Sequence, residues 1–162
     1  MAGKILTIKE AGEIAHILRE QKKRIVLTGG CFDILHVGHI KLLERAKKAG
    51  DVLFVLLESD EKITQIKGNG RPLHEQDDRA YMLSAINFVD YVVCLPFLTT
   101  DTQYDQIVSL IHPSVIAVTK GDRAIEHKKR QAAEVGATVL DVIEYIPNKS
   151  SSAALHAILG EK

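Results

Sequence analysis

Short apolar runs alternate with helical patterns along the whole 162-residue chain. Val52–Leu57 is a continuous apolar run, which is typical of a strand buried on both faces of a sheet. Four further runs have the same character: Ile25–Thr28, Tyr91–Leu95, Val115–Val118 and Thr138–Ile143. Strands that alternate with helices pair in parallel through right-handed crossovers. The chain is therefore predicted to form an α/β fold with a doubly wound, five-stranded parallel sheet.

The segments between these runs have the apolar spacing of amphipathic helices. Thr7 and Glu10 fit a capping box that begins a helix extending to about Gln21. The other predicted helices are Gly38–Ala49, Glu75–Asn87, Thr102–Ile111, Ala124–Val135 and Ser152–Leu159. The length fits one domain, so we predict a single domain over 1–162. It would comprise a lead-in helix within 1–24 and a Rossmann-like core over 25–162.

Composition excludes several classes of protein. The chain has 21 Lys+Arg and 21 Asp+Glu, which disfavours a bulk electrostatic partner such as nucleic acid. No apolar run approaches the roughly 20 residues that span a bilayer, so no membrane partner is expected. Residues 1–10 lack the apolar core of a signal peptide, and Cys31 and Cys94 form no disulfide framework. We therefore predict a cytoplasmic protein.

The end of the first predicted core strand is the strongest candidate for a ligand site. Gly29 and Gly30 follow the strand and let a ligand approach the backbone closely. A helix beginning near Gly38 would direct unpaired N–H groups at the same point. The segment matches neither GxGxxG nor GxxxxGK[ST], so neither a nicotinamide dinucleotide nor a Walker-type loop is indicated. The pattern predicts a site for polyphosphate.

Two histidines at this helix start suggest what the site does. His36 and His39 are three residues apart and can face the same point. Imidazoles there suit a reaction in which a substrate phosphate attacks the α-phosphate of a nucleoside triphosphate. That nucleophile is already anionic, so the task is alignment and stabilisation of charge. Two alternatives remain open at this stage: a transition-metal site of Asp33 with both histidines, and ordinary histidines beside a plain turn.

The segment Gly30–His39 resembles the HxGH nucleotidyltransferase superfamily, which includes the cytidylyltransferases. Further similarity extends over essentially the whole chain, at Arg71–Arg79, Val89–Val93, Lys120–Asp122 and Ser150–Ser152. Among its subfamilies, the chain most resembles the adenylyltransferase domain of ADP-heptose synthesis. Glycerol-3-phosphate cytidylyltransferase is the next most similar.

The resemblance implies roles for individual residues. The implied catalytic residues are His36, His39, Lys67 and Arg79. The implied nucleotide- and phosphate-binding residues are Gly30, Cys31, Phe32, Gly38, Asp122, Ser150, Ser151 and Ser152. The implied acceptor-binding residues are Asp33 and Arg71. No residue is implied as a metal ligand, because Mg²⁺ would arrive with the triphosphate.

Each of these residues also has a structural interpretation. Asp33 and Asp122 can cap turns, and Arg79 can pair with Glu75 across one helical turn. The three serines can cap the last predicted helix. The glycine-rich stretch 66–71 is predicted to be a mobile loop that orders around the ligand.

The resemblance implies an enzyme that joins a nucleoside triphosphate to a phosphorylated small molecule. We expect ATP as donor and a phosphorylated sugar or polyol, such as heptose 1-phosphate, as acceptor, with pyrophosphate released by a homodimer. Two departures affect this choice: Thr119–Arg123 replaces K-G-G-D-Y, and Ile146–Ala153 lacks the cytidylyltransferase arginine. A CTP-dependent glycerol-3-phosphate type enzyme and a non-catalytic nucleotide-binding module therefore stay open.

Overall fold

The computed structural model describes residues 3–147 and 149–160. Residues 1, 2, 148, 161 and 162 lie outside the described residues, including both ends of the predicted domain 1–162. The strands of the described residues are β1 (Ile5–Leu6), β2 (Ile25–Gly30), β3 (Val52–Leu57), β4 (Tyr91–Cys94), β5 (Val115–Thr119) and β6 (Thr138–Ile143). The helices are α1 (Ile8–Glu20), α2 (Val37–Lys48), α3 (Asp60–Lys67), α4 (Gln76–Ser84), α5 (Asp101–Ile111), α6 (Ile125–Val135) and α7 (Ser151–Leu159).

All strands join one parallel sheet in the order β1-β4-β3-β2-β5-β6. This arrangement confirms the predicted α/β class and each of the five predicted strands. The predicted strand number was one too low, because β1 adds a sixth strand at the edge, where Ile5 pairs with Val92. Two residues are too few to show a strand pattern in the sequence.

Helices cover both faces of the sheet. Helices α1, α5 and α6 supply residues to one apolar cluster, and α2 and α4 supply residues to the other. The side chains of β3 alternate between the clusters, with Phe54 in the first and Val55 in the second. Both faces of β3 are therefore buried, which explains its continuous apolar sequence. None of the described helices combines the length and apolar character that a membrane span requires.

Helix α3 was missed by the sequence analysis. Ser59 caps it, since its Oγ accepts a hydrogen bond from the Lys62 N–H at 3.2 Å. Lys67 is the last residue of this helix, not a loop residue as predicted. The loop after it is fastened by the Thr64 hydroxyl, which donates to the Arg71 carbonyl at 2.6 Å. The helix is short and mostly polar, so its amphipathic pattern is weak.

The sheet opens between β2 and β5. Their pairing is limited to Val26 with Val115 and Leu27 with Ile116, while β2 continues beside β3 as far as Gly30. The Thr28 hydroxyl donates to the Ala117 carbonyl at 3.0 Å just beyond the last pair. After β2 the chain adds β3 and β4 on one side of β2, and then β5 and β6 on its other side. Ligands of doubly wound sheets bind at such a reversal point.

Candidate active site

His36 begins helix α2 as its N-cap. Its Nδ1 accepts a hydrogen bond from the Gly38 N–H at 3.1 Å. Because Nδ1 is an acceptor here, the neutral ring carries its proton on Nε2, which can donate to a ligand. Residue 38 must be small, since a Cβ there would lie 2.9 Å from the His36 ring.

His39 stacks on His36 with ring centroids 3.8 Å apart, and the Phe32 ring lies 5.0 Å from it. Burial lowers the pKa of His39 to about 3, and the charges of His36 and Lys67 add to that shift. The Ile34 backbone opposes the shift, but no group in the described part of the chain forms a hydrogen bond with the buried Nδ1. A nearby anion favours the protonated form of a histidine. The stacked pair is therefore suited to an anionic ligand.

The side chains of Lys67 and Arg71 both contact Ser151, the first residue of α7. Lys67 donates to its Oγ at 2.7 Å, and Arg71 donates to the same atom at 3.1 Å. Burial lowers the pKa of Lys67, and the neighbouring Arg71 charge adds to that effect. Asp33 compensates the charge of Arg71, whereas Lys67 donates to the neutral Ser151 hydroxyl, so further negative charge would be stabilised beside Lys67.

Asp33 is fully buried and holds the loop that contains Arg71. Its Oδ2 accepts from Arg71 Nε at 2.7 Å, and its Oδ1 accepts from the backbone N–H groups of Leu73 and His74 at 2.8 and 3.3 Å. Burial alone would raise the pKa of Asp33, but these donors lower it overall. Asp33 and Arg71 were predicted to bind the acceptor. In the structure they bind each other beneath the surface, and their role towards the acceptor stays a prediction.

Arg79 also differs from its predicted role of facing a substrate phosphate. Its side chain is fully buried and donates to the carbonyls of His74 and Cys31 at 2.9 and 2.6 Å and to Asp60 at 2.6 Å. The alternative pair with Glu75 is replaced by the bond to Asp60. Arg79 therefore holds the turn after β2 in place through its hydrogen bond to the Cys31 carbonyl.

The turn after β2 is tightly packed. A Cβ on Gly29 would lie 3.3 Å from the Leu56 carbonyl oxygen, so a side chain there would crowd β3. Phe32 has a positive φ of 47° and a buried ring. Burial raises the pKa of the Cys31 thiol, which keeps it protonated and unreactive. Through Gly30, Cys31 and Phe32 the turn carries the chain from β2 to the histidine pair.

The α2 cavity, of about 310 Å³, is lined by His36, Gly38, His39, Lys120, Asp122, Arg123, Tyr145, Lys149 and Ser150 among others. It gathers five of the predicted site residues. Asp122 also serves its turn, accepting from the Ala124 N–H at 2.7 Å, and Ser150 caps α7 through the Ala153 N–H at 3.1 Å. Ser152, in the first turn of α7, is not among the lining residues.

Four lining residues that follow the ends of β5 and β6 were not predicted as site residues: Lys120, Arg123, Tyr145 and Lys149. Ligands bind beyond such strand ends, so that rule could have indicated them.

A second cavity, the α5 cavity, occupies about 430 Å³ on the other face of the sheet. Its lining includes Gly30, Glu58, Lys62, Tyr104 and Asp122. Asp122 also lines the α2 cavity, so the two cavities adjoin at this residue, which lies just beyond the end of β5. Glu58 follows the end of β3 directly, which is a position that the strand-end rule again indicates.

A resident metal site is not apparent in the described ranges 3–147 and 149–160, where no three His, Cys, Asp or Glu side chains form a suitable group. The alternative of a metal held by Asp33 with both histidines is also opposed by hydrogen bonding. Both Asp33 oxygens already accept hydrogen bonds, one of them from Arg71.

Comparison with known proteins identifies the class. The sequence profile of the family described as Cytidylyltransferase-like matches residues 27–157. The chain therefore belongs to the cytidylyltransferase-like family, which confirms the predicted class, a nucleotidyltransferase.

Particular relatives are bifunctional HldE proteins. The protein of Aliarcobacter butzleri is 40% identical over 154 residues, and that of Sulfurimonas denitrificans is 41% identical over 157. Each match covers 95% of this chain and 31% of the relative. The chain thus spans about a third of the length of these relatives.

Two solved structures share the fold. The lipopolysaccharide core biosynthesis protein of Thermoplasma volcanium aligns with a TM-score of 0.59 and 24% identity, over 80% of this chain and 99% of that one. The pantoate-beta-alanine ligase of Francisella tularensis, complexed with beta-gamma ATP and beta-alanine, aligns with a TM-score of 0.63 and 16% identity, over 99% and 80%. Because both sequence identities are below 25%, these two structures support the fold assignment alone.

Proposed function

We propose that the chain transfers a nucleoside monophosphate, with ATP favoured as donor, to a phosphorylated sugar or polyol such as heptose 1-phosphate. The observation that carries the proposal is the stacked pair His36 and His39 at the start of α2, with a buried nitrogen that has no hydrogen-bond partner among the described residues. The HldE relatives support the sugar, since the sequence resembles the adenylyltransferase domain of ADP-heptose synthesis.

In the proposed reaction an acceptor phosphate oxygen attacks the α-phosphorus. A new phosphorus–oxygen bond forms, the bond to the β-phosphate oxygen breaks, and pyrophosphate leaves with the electron pair. The His36 Nε2–H and the first N–H groups of α2 would donate to the oxygens that gain charge. Lys67 would neutralise the phosphates from the opposite side. Mg²⁺ enters as part of the substrate, bound to the triphosphate.

The choice of base depends on the far end of the α2 cavity. Thr119–Arg123 begins at the last residue of β5, Tyr145 follows β6, and both segments line this cavity. Backbone groups in such loops distinguish bases by a few hydrogen bonds, and an unpaired buried group costs about 1–3 kcal/mol. ATP is favoured through the resemblance to the heptose enzymes. CTP is the second candidate, because residues 119–123 depart from their K-G-G-D-Y pattern.

We also propose a cytoplasmic homodimer, as the resemblance implies. Light scattering of the purified chain should give twice the 17.9 kDa monomer mass. A monomer mass at all concentrations would contradict the proposed assembly without touching the reaction.

The function is tested by pyrophosphate release in a matrix of substrates. ATP, CTP, GTP and UTP are each combined with heptose 1-phosphate, glycerol 3-phosphate, phosphoethanolamine and FMN, with Mg²⁺ present. ATP with heptose 1-phosphate should give the highest kcat/KM. If CTP exceeds ATP by about tenfold with every acceptor, the chain is a cytidylyltransferase. If no pair releases pyrophosphate, the chain is a non-catalytic binding module.

A further inference from the structure

The α5 cavity has mainly apolar walls with several polar side chains in its lining. Leu56, Leu95 and Val108 are among the apolar side chains that line it. Its polar members near the turn include Glu58 and Tyr104, which come from the end of β3 and from α5. Binding sites for small molecules commonly combine a mainly apolar wall with a few placed polar groups. The cavity therefore has the composition of a ligand site.

Glu58 and Tyr104 form a defined pair. The Tyr104 hydroxyl donates to both carboxylate oxygens of Glu58, at 3.0 and 3.1 Å. Burial raises the pKa of Glu58, and burial followed by the Glu58 charge raises that of Tyr104. In the described part of the chain Tyr104 is the only hydrogen-bond donor to this carboxylate. A carboxylate accepts about four hydrogen bonds, so Glu58 keeps capacity for donors from a ligand.

The charges that line the α5 cavity largely compensate one another. Lys128 pairs with Asp122 at 2.6 Å, and His127 lies 3.1 Å from Asp101. Lys62 donates to the Leu98 carbonyl at 3.1 Å, and its charge, with those of Arg79 and Lys128, acts to lower the pKa of Glu58. In the described part of the chain Glu58 and Lys62 have no ion-pair partner, but their charges are opposite, so the lining carries no excess of positive charge for a second phosphate. Neutral groups that donate hydrogen bonds complement it better than an ammonium group or a second phosphate.

The location of the cavity identifies the ligand's place in the reaction. The α2 cavity contains the histidine pair, and the α5 cavity on the other face adjoins it at Asp122 and is lined by the turn Gly29–Cys31, which leads to that pair. A group-transfer reaction needs its second substrate within reach of the phosphorus that the first substrate presents. A molecule in the α5 cavity would place its phosphate beside this turn, opposite the nucleotide.

We infer that Glu58 and Tyr104 bind hydroxyl groups of a polyhydroxylated sugar phosphate in the α5 cavity and so select the acceptor. This inference rests on the proposed nucleotidyl transfer and names the substrate class of its second site. The Glu58 carboxylate accepts from sugar hydroxyls, and Tyr104 holds the carboxylate in position. The apolar walls contact the carbon face of the ring.

The first test separates acceptor binding from nucleotide binding. Glu58→Gln and Tyr104→Phe are assayed with heptose 1-phosphate and Mg²⁺-ATP. We expect KM for heptose 1-phosphate to rise by roughly 10- to 100-fold in Glu58→Gln, as for loss of hydrogen bonds to a charged group. The rise should be smaller in Tyr104→Phe, and KM for ATP should stay within about twofold in both. The matched controls are Glu61→Gln and Tyr81→Phe, whose side chains are exposed and outside the cavity.

The second test compares substrates on the parent protein and uses Glu58→Gln only as a further check. The parent protein is assayed with hexose 1-phosphates that each lack one hydroxyl group, against mannose 1-phosphate. At least one deoxy compound should lose about tenfold in kcat/KM, and Glu58→Gln should show a smaller loss for that compound. Parent kinetics that are the same for all these compounds would overturn the inference. So would a preference of the parent for phosphoethanolamine.

Failure of the inference is distinguishable from failure of the proposed function. If the parent releases no pyrophosphate with any substrate pair, the proposed function fails and the inference falls with it. If the parent is active but Glu58→Gln keeps the parent KM for heptose 1-phosphate, only the inference fails.

Discussion

Each of the two cavities contains a titratable side chain whose pKa is shifted by burial, but the two shifts have opposite directions. In the α2 cavity burial lowers the pKa of His39 to about 3, and in the α5 cavity burial raises the pKa of Glu58. Burial favours the uncharged form in both cases. In the proposed function the neutral imidazole would gain a charge when an anion binds, whereas the Glu58 carboxyl group would accept from hydrogen-bond donors. The same physical effect would thus suit one cavity to phosphate and the other to hydroxyl groups.

The supports of the two cavities also differ. The loop beside the histidines is held by the pair Asp33 and Arg71, whose side chains are 0% and 7% exposed. The α5 cavity is edged by Asp122 and Lys128, whose side chains are 20% and 24% exposed. Water screens the second pair and does not reach the first. Removing the cation should therefore lower the free energy of unfolding much more for the Asp33–Arg71 pair than for the Asp122–Lys128 pair.

Replacing these two cations gives the largest predicted contrast. Arg71→Ala leaves the Asp33 carboxylate buried without its charged partner, which typically costs about 3–5 kcal/mol. Lys128→Ala removes a partly exposed partner and should lower the free energy of unfolding by about 1 kcal/mol. Urea unfolding at pH 7 measures both. Equal losses in the two variants would contradict the structural distinction between the pairs.

His39→Ala should have the next largest effect, on rate rather than stability. A donor that stabilises transition-state charge is typically worth on the order of 100- to 1,000-fold in kcat. Nucleotide affinity should stay within about tenfold, because that stabilisation develops mainly in the transition state. The exposed His16 on α1 provides the control variant His16→Ala. Parent-like turnover by His39→Ala would remove the histidine from the site.

The opposite pKa shifts predict opposite responses of stability to pH. The ordinary pKa of His39 is 6.5 and its folded value is about 3. As pH falls from 6.5 towards 3, the unfolded chain binds a proton that folded His39 does not, so His39 lowers the free energy of unfolding. The folded pKa of Glu58 lies above its ordinary value of 4.5. The stability that Glu58 contributes is present below pH 4.5 and is lost as pH rises through the folded pKa.

Unfolding of His39→Gln and Glu58→Gln between pH 4 and 8 measures these contributions. Relative to the parent, His39→Gln should gain stability as pH falls, and Glu58→Gln should gain stability as pH rises. Parallel pH profiles for the parent and both variants would show that neither group is buried in the manner described.

Gly38→Ala should give the smallest effect. The added Cβ would lie 2.9 Å from the His36 ring, so the ring must move and its bond to the Gly38 N–H is weakened. Loss of an N-cap typically costs about 1 kcal/mol, measured as a shift of the urea midpoint. The exposed Gly3, with no atom within 4 Å of an added Cβ, serves as the control in Gly3→Ala.

Many elements of the fold could be predicted because their own local sequence shows the pattern of a strand or a helix. The apolar run Val52–Leu57 becomes β3, and the capping box at Thr7 begins α1. Strand β1 and helix α3 were not predicted, because each depends on tertiary contacts more than on the apolar pattern of its own sequence. The two residues of β1 pair with β4, and α3 is short and mostly polar.

For the site, the sequence analysis indicated the residues but not the direction of their side chains. His36 and His39 do meet, because the N-cap residue and the third residue of α2 lie side by side at the start of the helix. Asp33 and Arg79 turn inward to hold loops, and that choice depends on distant partners such as Arg71 and Asp60. Tyr104 reaches the site from α5, 46 residues after its partner Glu58. Local spacing carries no information about such contacts.

The central claim is that the nucleotide and the acceptor occupy different cavities. Nuclear magnetic resonance of the parent, with labelled histidine and tyrosine rings, tests it directly. Mg²⁺ with α,β-methylene ATP, which lacks the bond that breaks, should shift the ring signals of His36 and His39. Subsequent heptose 1-phosphate should shift the ring signals of Tyr104. The account is contradicted if heptose 1-phosphate leaves Tyr104 unchanged, or if the ATP analogue shifts Tyr104 and neither histidine.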